Sequence, residues 1–259
     1  MSKGIFWYFT HFMSKRIIMI TLIMLVIFTI LDALYLRVFS KEEFIIHSGL
    51  GYGQGYIHLL DFVKLLILNC TPIYFISMVM ADDAFNDNAR IIRLGNFRRS
   101  FKQMQMVHFF VVTVYVLLYA SVVAIITCIF STETSIFSIT DILLTNQDFF
   151  IGVHDLQILI ITSILKICEL MMLQIFYLII YVLSKNTVVS FLSCLGLYSI
   201  LFFNMSSYMP VGISSIQRLV MLNQTFVPAS IVAASILVAS YGVGYFIIWK
   251  KGCRHVFSY

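Results

Sequence analysis

The chain has 259 residues, of which 61% are apolar and only 11% charged, and it carries a net charge of +5. An ordinary soluble domain holds about 25% charged residues. A soluble fold of this length could not hide so much hydrocarbon behind a polar surface, so a soluble enzyme or binding domain is excluded. The five cysteines, Cys70, Cys128, Cys168, Cys194 and Cys253, form no Cys-x-x-Cys pair and have no histidine at ligand spacing. They read as small packing residues rather than as a metal site or a disulfide framework.

A bilayer crossing takes roughly 20 apolar residues for ~30 Å of hydrocarbon. By that measure the sequence predicts an all-α membrane protein with six spans, at about 17–36, 58–80, 107–130, 156–183, 188–203 and 227–249. With three prolines and twelve glycines in the whole chain, long helices are seldom interrupted. Residues 1–16 come first. They are rich in aromatic side chains, with Lys3 near one end and Lys15 and Arg16 at the other, and are too short to cross. Such a segment is expected to lie in the membrane interface, either as an aromatic anchor or as a functional interfacial helix. The apolar run that follows is longer than a signal-peptide core, with no small-residue cleavage site before Arg37, so it reads as a retained helix.

The second and third spans are separated by the longest inner loop, 81–105. Asp82, Asp83 and Asp87 lead it, while Arg90, Arg93, Arg98, Arg99 and Lys102 trail, the order a helix macrodipole favours. Ile91, Ile92 and Leu94 give this stretch an apolar side, and Gly95-Asn96 is a helix stop signal. An amphipathic helix here could dock in a groove on a soluble partner, or the loop could be solvated with charges that serve topology alone. The fourth and fifth spans are joined through Ser184-Lys185-Asn186-Thr187 as a tight hairpin, and the fifth is short for a full crossing. The segment 204–226 before the last span is too apolar for an ordinary exposed loop. Pro210 and Gly212 could start a short helix carrying Ile213, Ile216, Leu219 and Val220, expected to re-enter the outer leaflet or cap the bundle.

Basic residues fix the orientation. With both termini inside, the inner segments hold twelve Lys and Arg, namely Lys3, Lys15, Arg16, Arg90, Arg93, Arg98, Arg99, Lys102, Lys185, Lys250, Lys251 and Arg254. The outer segments hold three, Arg37, Lys41 and Arg218. A positive charge scattered over short inner loops is a topology signal with anionic lipid as its second role, and it excludes nucleic acid as a partner.

Charges inside the spans cost about 2.5–3.5 kcal/mol each on insertion scales. Asp61 and Lys64 on the second span, and Lys166 and Glu169 on the fourth, stand three apart and can neutralise each other on one helix face. Both pairs are candidate intramembrane polar sites, structural or part of an ion path, with Glu169 the first to test. Glycines between 49 and 55 lack the Gly-Lys-Ser/Thr ending of a phosphate loop, and no Walker motif or hydrolase motif occurs elsewhere. The chain is therefore not expected to be an enzyme in its own right, nor to bind a cofactor or metal.

An interfacial helix, six spans, a basic loop between the second and third, and an apolar outer segment before the last resemble the permease subunits of type-2 ABC exporters. The local piece carrying the resemblance is Arg90-Ile-Ile-Arg-Leu-Gly-Asn-Phe-Arg-Arg-Ser, which looks like a stretch of small Gram-positive permeases for peptide-antibiotic export and immunity. The resemblance implies a bacterial cytoplasmic membrane protein that pairs with a second permease copy or paralogue. It also implies two separate ATPase subunits, which would bind ATP and Mg. Asp87, Arg90, Ile91, Ile92, Arg93 and Leu94 would then form the coupling helix seated in the ATPase, steadied by Arg98 and Arg99. The cargo would be hydrophobic or amphipathic, a peptide or a lipid-like molecule. The competing reading is a stand-alone secondary transporter or channel working through Asp61, Lys64, Lys166 and Glu169.

Overall fold

The computed structural model describes residues 97–130, 147–203, 208 and 210–255, together with Met19, Ile23, Val26, Ile27 and Ile30. The described residues are helical or in turns, with no strand among them. Four long helices follow in order: α1 (Phe97–Phe130), α2 (Asp155–Ser184), α3 (Thr187–Phe203) and, after the single turn α4 (Ile216–Val220), α5 (Phe226–His255). Segments within α1, α2 and α5 are long and apolar enough to cross a membrane, namely Phe97–Val122, Leu156–Ser184 and Phe226–Lys250. These are the helices of a membrane protein. Met19, Ile23, Val26, Ile27 and Ile30 are helical too, on one face by their spacing, and all but Ile30 are exposed as a lipid-facing stripe would be.

Helix boundaries follow local chemistry. The backbone N–H of His154 donates to Gln157 Oε1 at 3.2 Å, which satisfies one group at the start of α2. At its far end Lys185 adopts a left-handed conformation, φ 49°, and donates its N–H to the Tyr181 carbonyl at 2.8 Å. Asn186 Oδ1 then accepts the Val188 N–H at 2.9 Å and opens α3. Two residues therefore make the hairpin, where the sequence predicted a four-residue turn. Hydroxyls within the spans satisfy themselves on the preceding turn: Thr162 bonds the Ile158 carbonyl at 2.7 Å, Ser163 that of Leu159 at 2.7 Å and Ser230 that of Phe226 at 2.7 Å.

α2 is the hub, packed against α1, α3 and α5. Its buried face carries Ile158, Leu165, Leu173, Tyr177 and Leu178. α5 lies close against α2 at Gly244, where an added Cβ would overlap Ile175 and stand 3.3 Å from Ile179 Cδ1. Small residues of this kind let membrane helices pack backbone to backbone. At one end of the bundle Phe149, Phe150 and Phe226 cluster, with centroids 4.8 to 5.8 Å apart and Phe149 edge-on to the other two rings. At the other, Arg98 lies 4.0 Å over the Trp249 ring, and Phe101 packs on Tyr245 at 5.0 Å.

Two boundaries differ from expectation. The third predicted span began at residue 107, but α1 starts ten residues earlier, at Phe97. Arg98, Arg99, Lys102 and Gln105 are thus helical rather than part of a loop. Phe97, Phe101, Met104, Val107, Val111 and Tyr115 explain why, because they continue one buried stripe across the expected boundary. In the outer segment the helix begins only at Ile216, since Gly212 at φ 74° sits in a turn. The interfacial segment 1–16, the second span and most of the first lie outside the described residues.

Candidate polar site at the middle of the bundle

The described α3, Thr187–Phe203, holds 17 residues, about 25 Å at about 1.5 Å per residue. It runs antiparallel to α2 from a two-residue hairpin and so ends level with the middle of α2, near Glu169. The chain then works back along the bundle through 210–225 to reach Phe226 at the aromatic end. Every residue whose side chain is described from Val211 to Leu219 is buried, with Ile213, Ser214, Ser215 and Leu219 fully so. The stretch 211–219 is therefore inside the bundle.

Glu169 receives it. The carboxyl is fully buried, Oε1 accepts the backbone N–H of Gly212 at 2.7 Å, and Oε2 accepts the hydroxyl of Ser214. Lys166 Nζ lies 3.7 Å from Oε2 on the same helix, one turn away and almost equally buried. A buried carboxyl is costly in hydrocarbon unless its lone pairs are used and its charge is countered. Here an N–H, an O–H and an ammonium do both. The turn that presents these donors depends on Gly212, whose positive φ a side chain rarely adopts. The Ser215 N–H closes the turn on the Gly212 carbonyl at 3.1 Å, and the backbone N–H of Arg218 bonds Ser215 Oγ at 3.4 Å.

A second set of polar groups lies along α1 and α2. Gln105 Oε1 accepts the Tyr241 hydroxyl at 3.1 Å, joining α1 to α5. Gln105 Nε2, both ring nitrogens of His108 and both amide atoms of Gln174 are buried and find no partner among the described residues. Gln105 lines a cleft of about 620 Å³ between α1, α2 and α5.

The sequence expectation paired Lys166 with Glu169, and the structure brings them together. Gly212 and Ser214 as partners of Glu169 were not foreseen, although a Gly and two serines inside an apolar segment are a signal that something polar awaits them. Gln105 was read as the end of a loop, and the Phe101, Met104, His108 spacing is the pattern that places it on a buried helix face. Arg98 and Arg99 stand exposed at the start of α1. Asp61, Lys64, Asp87, Arg90, Ile91, Ile92, Arg93 and Leu94 lie outside the described residues, and the expectations placed on them stay expectations. Among the described residues no cluster of His, Cys, Asp and Glu could hold a metal ion.

No protein-family model matches the chain, and no characterised protein or solved structure is significantly similar to it.

The site can hold a segment in place at mid-bundle depth, with a donor on each carboxyl oxygen and an ammonium beside one of them. Its chemistry is that of a fastening between α2 and the outer segment.

Proposed function

We propose that the chain is the membrane-spanning permease subunit of a type-2 ABC exporter, driven by separate ATPase subunits and moving a hydrophobic or amphipathic molecule outward. The observation that carries this reading is the buried apolar segment before the last helix, pinned to Glu169. It fits the arrangement the resemblance implies at that place in the chain. A carboxyl with Gly212 and Ser214 donating to its two oxygens and Lys166 beside it also favours a fastening over a proton or ion relay.

In this reading the six-span chain lies in the bacterial cytoplasmic membrane with both termini inside, and the stretch 87–94 sits in the ATPase groove. In the same reading the end of the bundle that carries Arg98, Arg99 and Lys102 faces the cytoplasm, as basic residues favour. α1 is one uninterrupted helix of 34 residues, so a push on the loop before it is carried into the membrane along a rigid rod. The Arg98–Trp249 and Phe101–Tyr245 contacts pass that push to α5 at the same end. The outer segment, fastened to α2, moves with α2 when the helices part.

The test is co-purification of the full chain with an ATPase from its native membrane. The wild type retains the ATPase, while combined Arg90→Glu and Arg93→Glu releases it with the permease still folded. Transport that ignores vanadate and collapses with the proton gradient would sink the reading in favour of a secondary transporter.

A further inference from the structure

The cleft between α1, α2 and α5 is apolar over nearly all of its surface, with its few polar groups gathered at one end. Its basic end is formed by Lys102, Gln105 and Tyr241, and Phe109, Phe110 and Val238 form much of the rest. These last three are 48%, 43% and 61% exposed, so the cleft opens on the flank of the bundle. From Lys102 to Phe110 the wall rises about 12 Å at about 1.5 Å per residue. That is close to the hydrocarbon depth of one leaflet, half of ~30 Å.

The polar end is incomplete. Gln105 is only 5% exposed, its Oε1 is taken by the Tyr241 hydroxyl, and its Nε2 has no partner among the described residues. A buried N–H donor without an acceptor is costly, so an acceptor supplied from outside the chain is favoured there. Lys102, one turn nearer the end of α1, is exposed at the same mouth, with Arg98 and Arg99 on the preceding turn. An occupant must therefore carry an acceptor at the depth of Gln105, an anion at the depth of Lys102 and hydrocarbon beyond. A phosphate, an ester carbonyl and an acyl chain follow one another in that order in a phospholipid, matching Lys102, Gln105 and the apolar wall beyond. Met106 and Met171, both lining the cleft, supply the adaptable surface such a chain needs.

The geometry points to a binding site for one acidic phospholipid in this cleft, its headgroup at Lys102 and its acyl chain against Phe109, Phe110 and Val238. The site goes beyond the exporter reading and does not depend on an ATPase.

The experiment uses the full chain purified in mild detergent, titrated with phosphatidylglycerol bearing a fluorescent acyl chain and, in parallel, with the matching phosphatidylcholine. Val238→Trp fills the cleft from an exposed position, and Val243→Trp, equally exposed but outside the cleft, is its control. Lys102→Gln removes the charge at the surface, where folding is not at stake. One phosphatidylglycerol binds per chain, Val238→Trp weakens it at least tenfold and Val243→Trp leaves it unchanged. Lys102→Gln weakens phosphatidylglycerol about fivefold, the factor equivalent to about 1 kcal/mol for one basic residue near an anionic surface, without affecting phosphatidylcholine. The proposal fails if phosphatidylcholine binds as tightly as phosphatidylglycerol or if Lys102→Gln changes nothing. It also fails if Val238→Trp alters the oligomeric state while lipid binding stays at the wild-type level, since the cleft then holds a second copy of the chain.

Discussion

The Glu169 carboxyl and the backbone N–H of Gly212 are 43 positions apart in the chain and joined at 2.7 Å in the middle of the bundle. The bond ties a side chain on a long apolar helix to the backbone of the segment that precedes the last helix. With the Ser214 hydroxyl on the other oxygen, one carboxyl satisfies two donors of a turn that would otherwise be orphaned in a dry interior.

Glu169→Gln converts one of these acceptors into an NH₂ donor facing another donor, and leaves Lys166 without its counter-charge. A hydrogen bond to a charged group is worth about 1.5–3 kcal/mol, and polar contacts between membrane helices average less, about 0.6 kcal/mol. The expected loss is about 1–2 kcal/mol in detergent unfolding, with Ser214→Ala losing roughly half as much. Hydrogen exchange at the Gly212 amide reads the site directly. Exchange that is equally slow in wild type and Glu169→Gln would mean that the carboxyl does not hold the turn.

Gly212 separates backbone from packing. Its φ is 74°, and nothing lies within 4 Å of where a Cβ would stand. A substitution therefore meets no clash but forces an unfavourable conformation, at about 1–2 kcal/mol for an ordinary residue. Gly212→Asn is expected to be milder than Gly212→Val, because Asn tolerates the left-handed region and a β-branched residue does not. Equal melting temperatures for the two variants would show that the conformation is not maintained.

The contrast between spans and site shows what the sequence can reveal. α2, α3 and α5 were legible because lipid and core both demand apolar residues, so each run announces its own length. The Lys185–Asn186 hairpin was legible as a polar break between two such runs. The start of α1 was not. Arg98, Arg99 and Lys102 read as loop because charge dominates a hydropathy window, whereas the buried stripe from Phe97 through Phe101 and Met104 is visible only at helical spacing. The Glu169 site was half legible. Lys166 is one turn away on the same helix, so spacing alone pairs it with Glu169. Gly212 and Ser214 reach the carboxyl from 43 and 45 positions away, a tertiary consequence that no local pattern carries.

Gly244 tests helix packing in the same bundle. An added Cβ would overlap Ile175 and press on Ile179, so α2 and α5 must separate to admit it. Overpacking of this kind costs about 1–3 kcal/mol. Gly244→Ala is expected to lower the melting temperature, and Ile175→Ala in the same chain to restore part of the loss by vacating the space. Gly242, two residues earlier on α5, has nothing within 4 Å of its Cβ position. Gly242→Ala is therefore expected to be neutral or to gain up to about 1 kcal/mol from helix propensity. If both alanines behave alike, the close approach at Gly244 is not what joins these helices.

Arg98 and Arg99 are adjacent and both exposed, yet they face different tasks. Arg98 lies 4.0 Å over Trp249 and so ties the start of α1 to the last turns of α5. A cation–π contact at an exposed site is worth about 0.5–1 kcal/mol. Arg98→Glu and Trp249→Leu are each expected to lower stability by about that amount, and the double variant by little more than either alone, because they remove the same contact. Under the exporter reading, Arg99→Glu leaves unfolding unchanged and weakens retention of the ATPase, since its charge meets the partner rather than α5. Trp249→Leu does the reverse, lowering stability with ATPase retention intact. Measuring unfolding and co-purification on the same four proteins separates the two tasks, and an additive Arg98–Trp249 pair would show that the ring and the guanidinium do not act together.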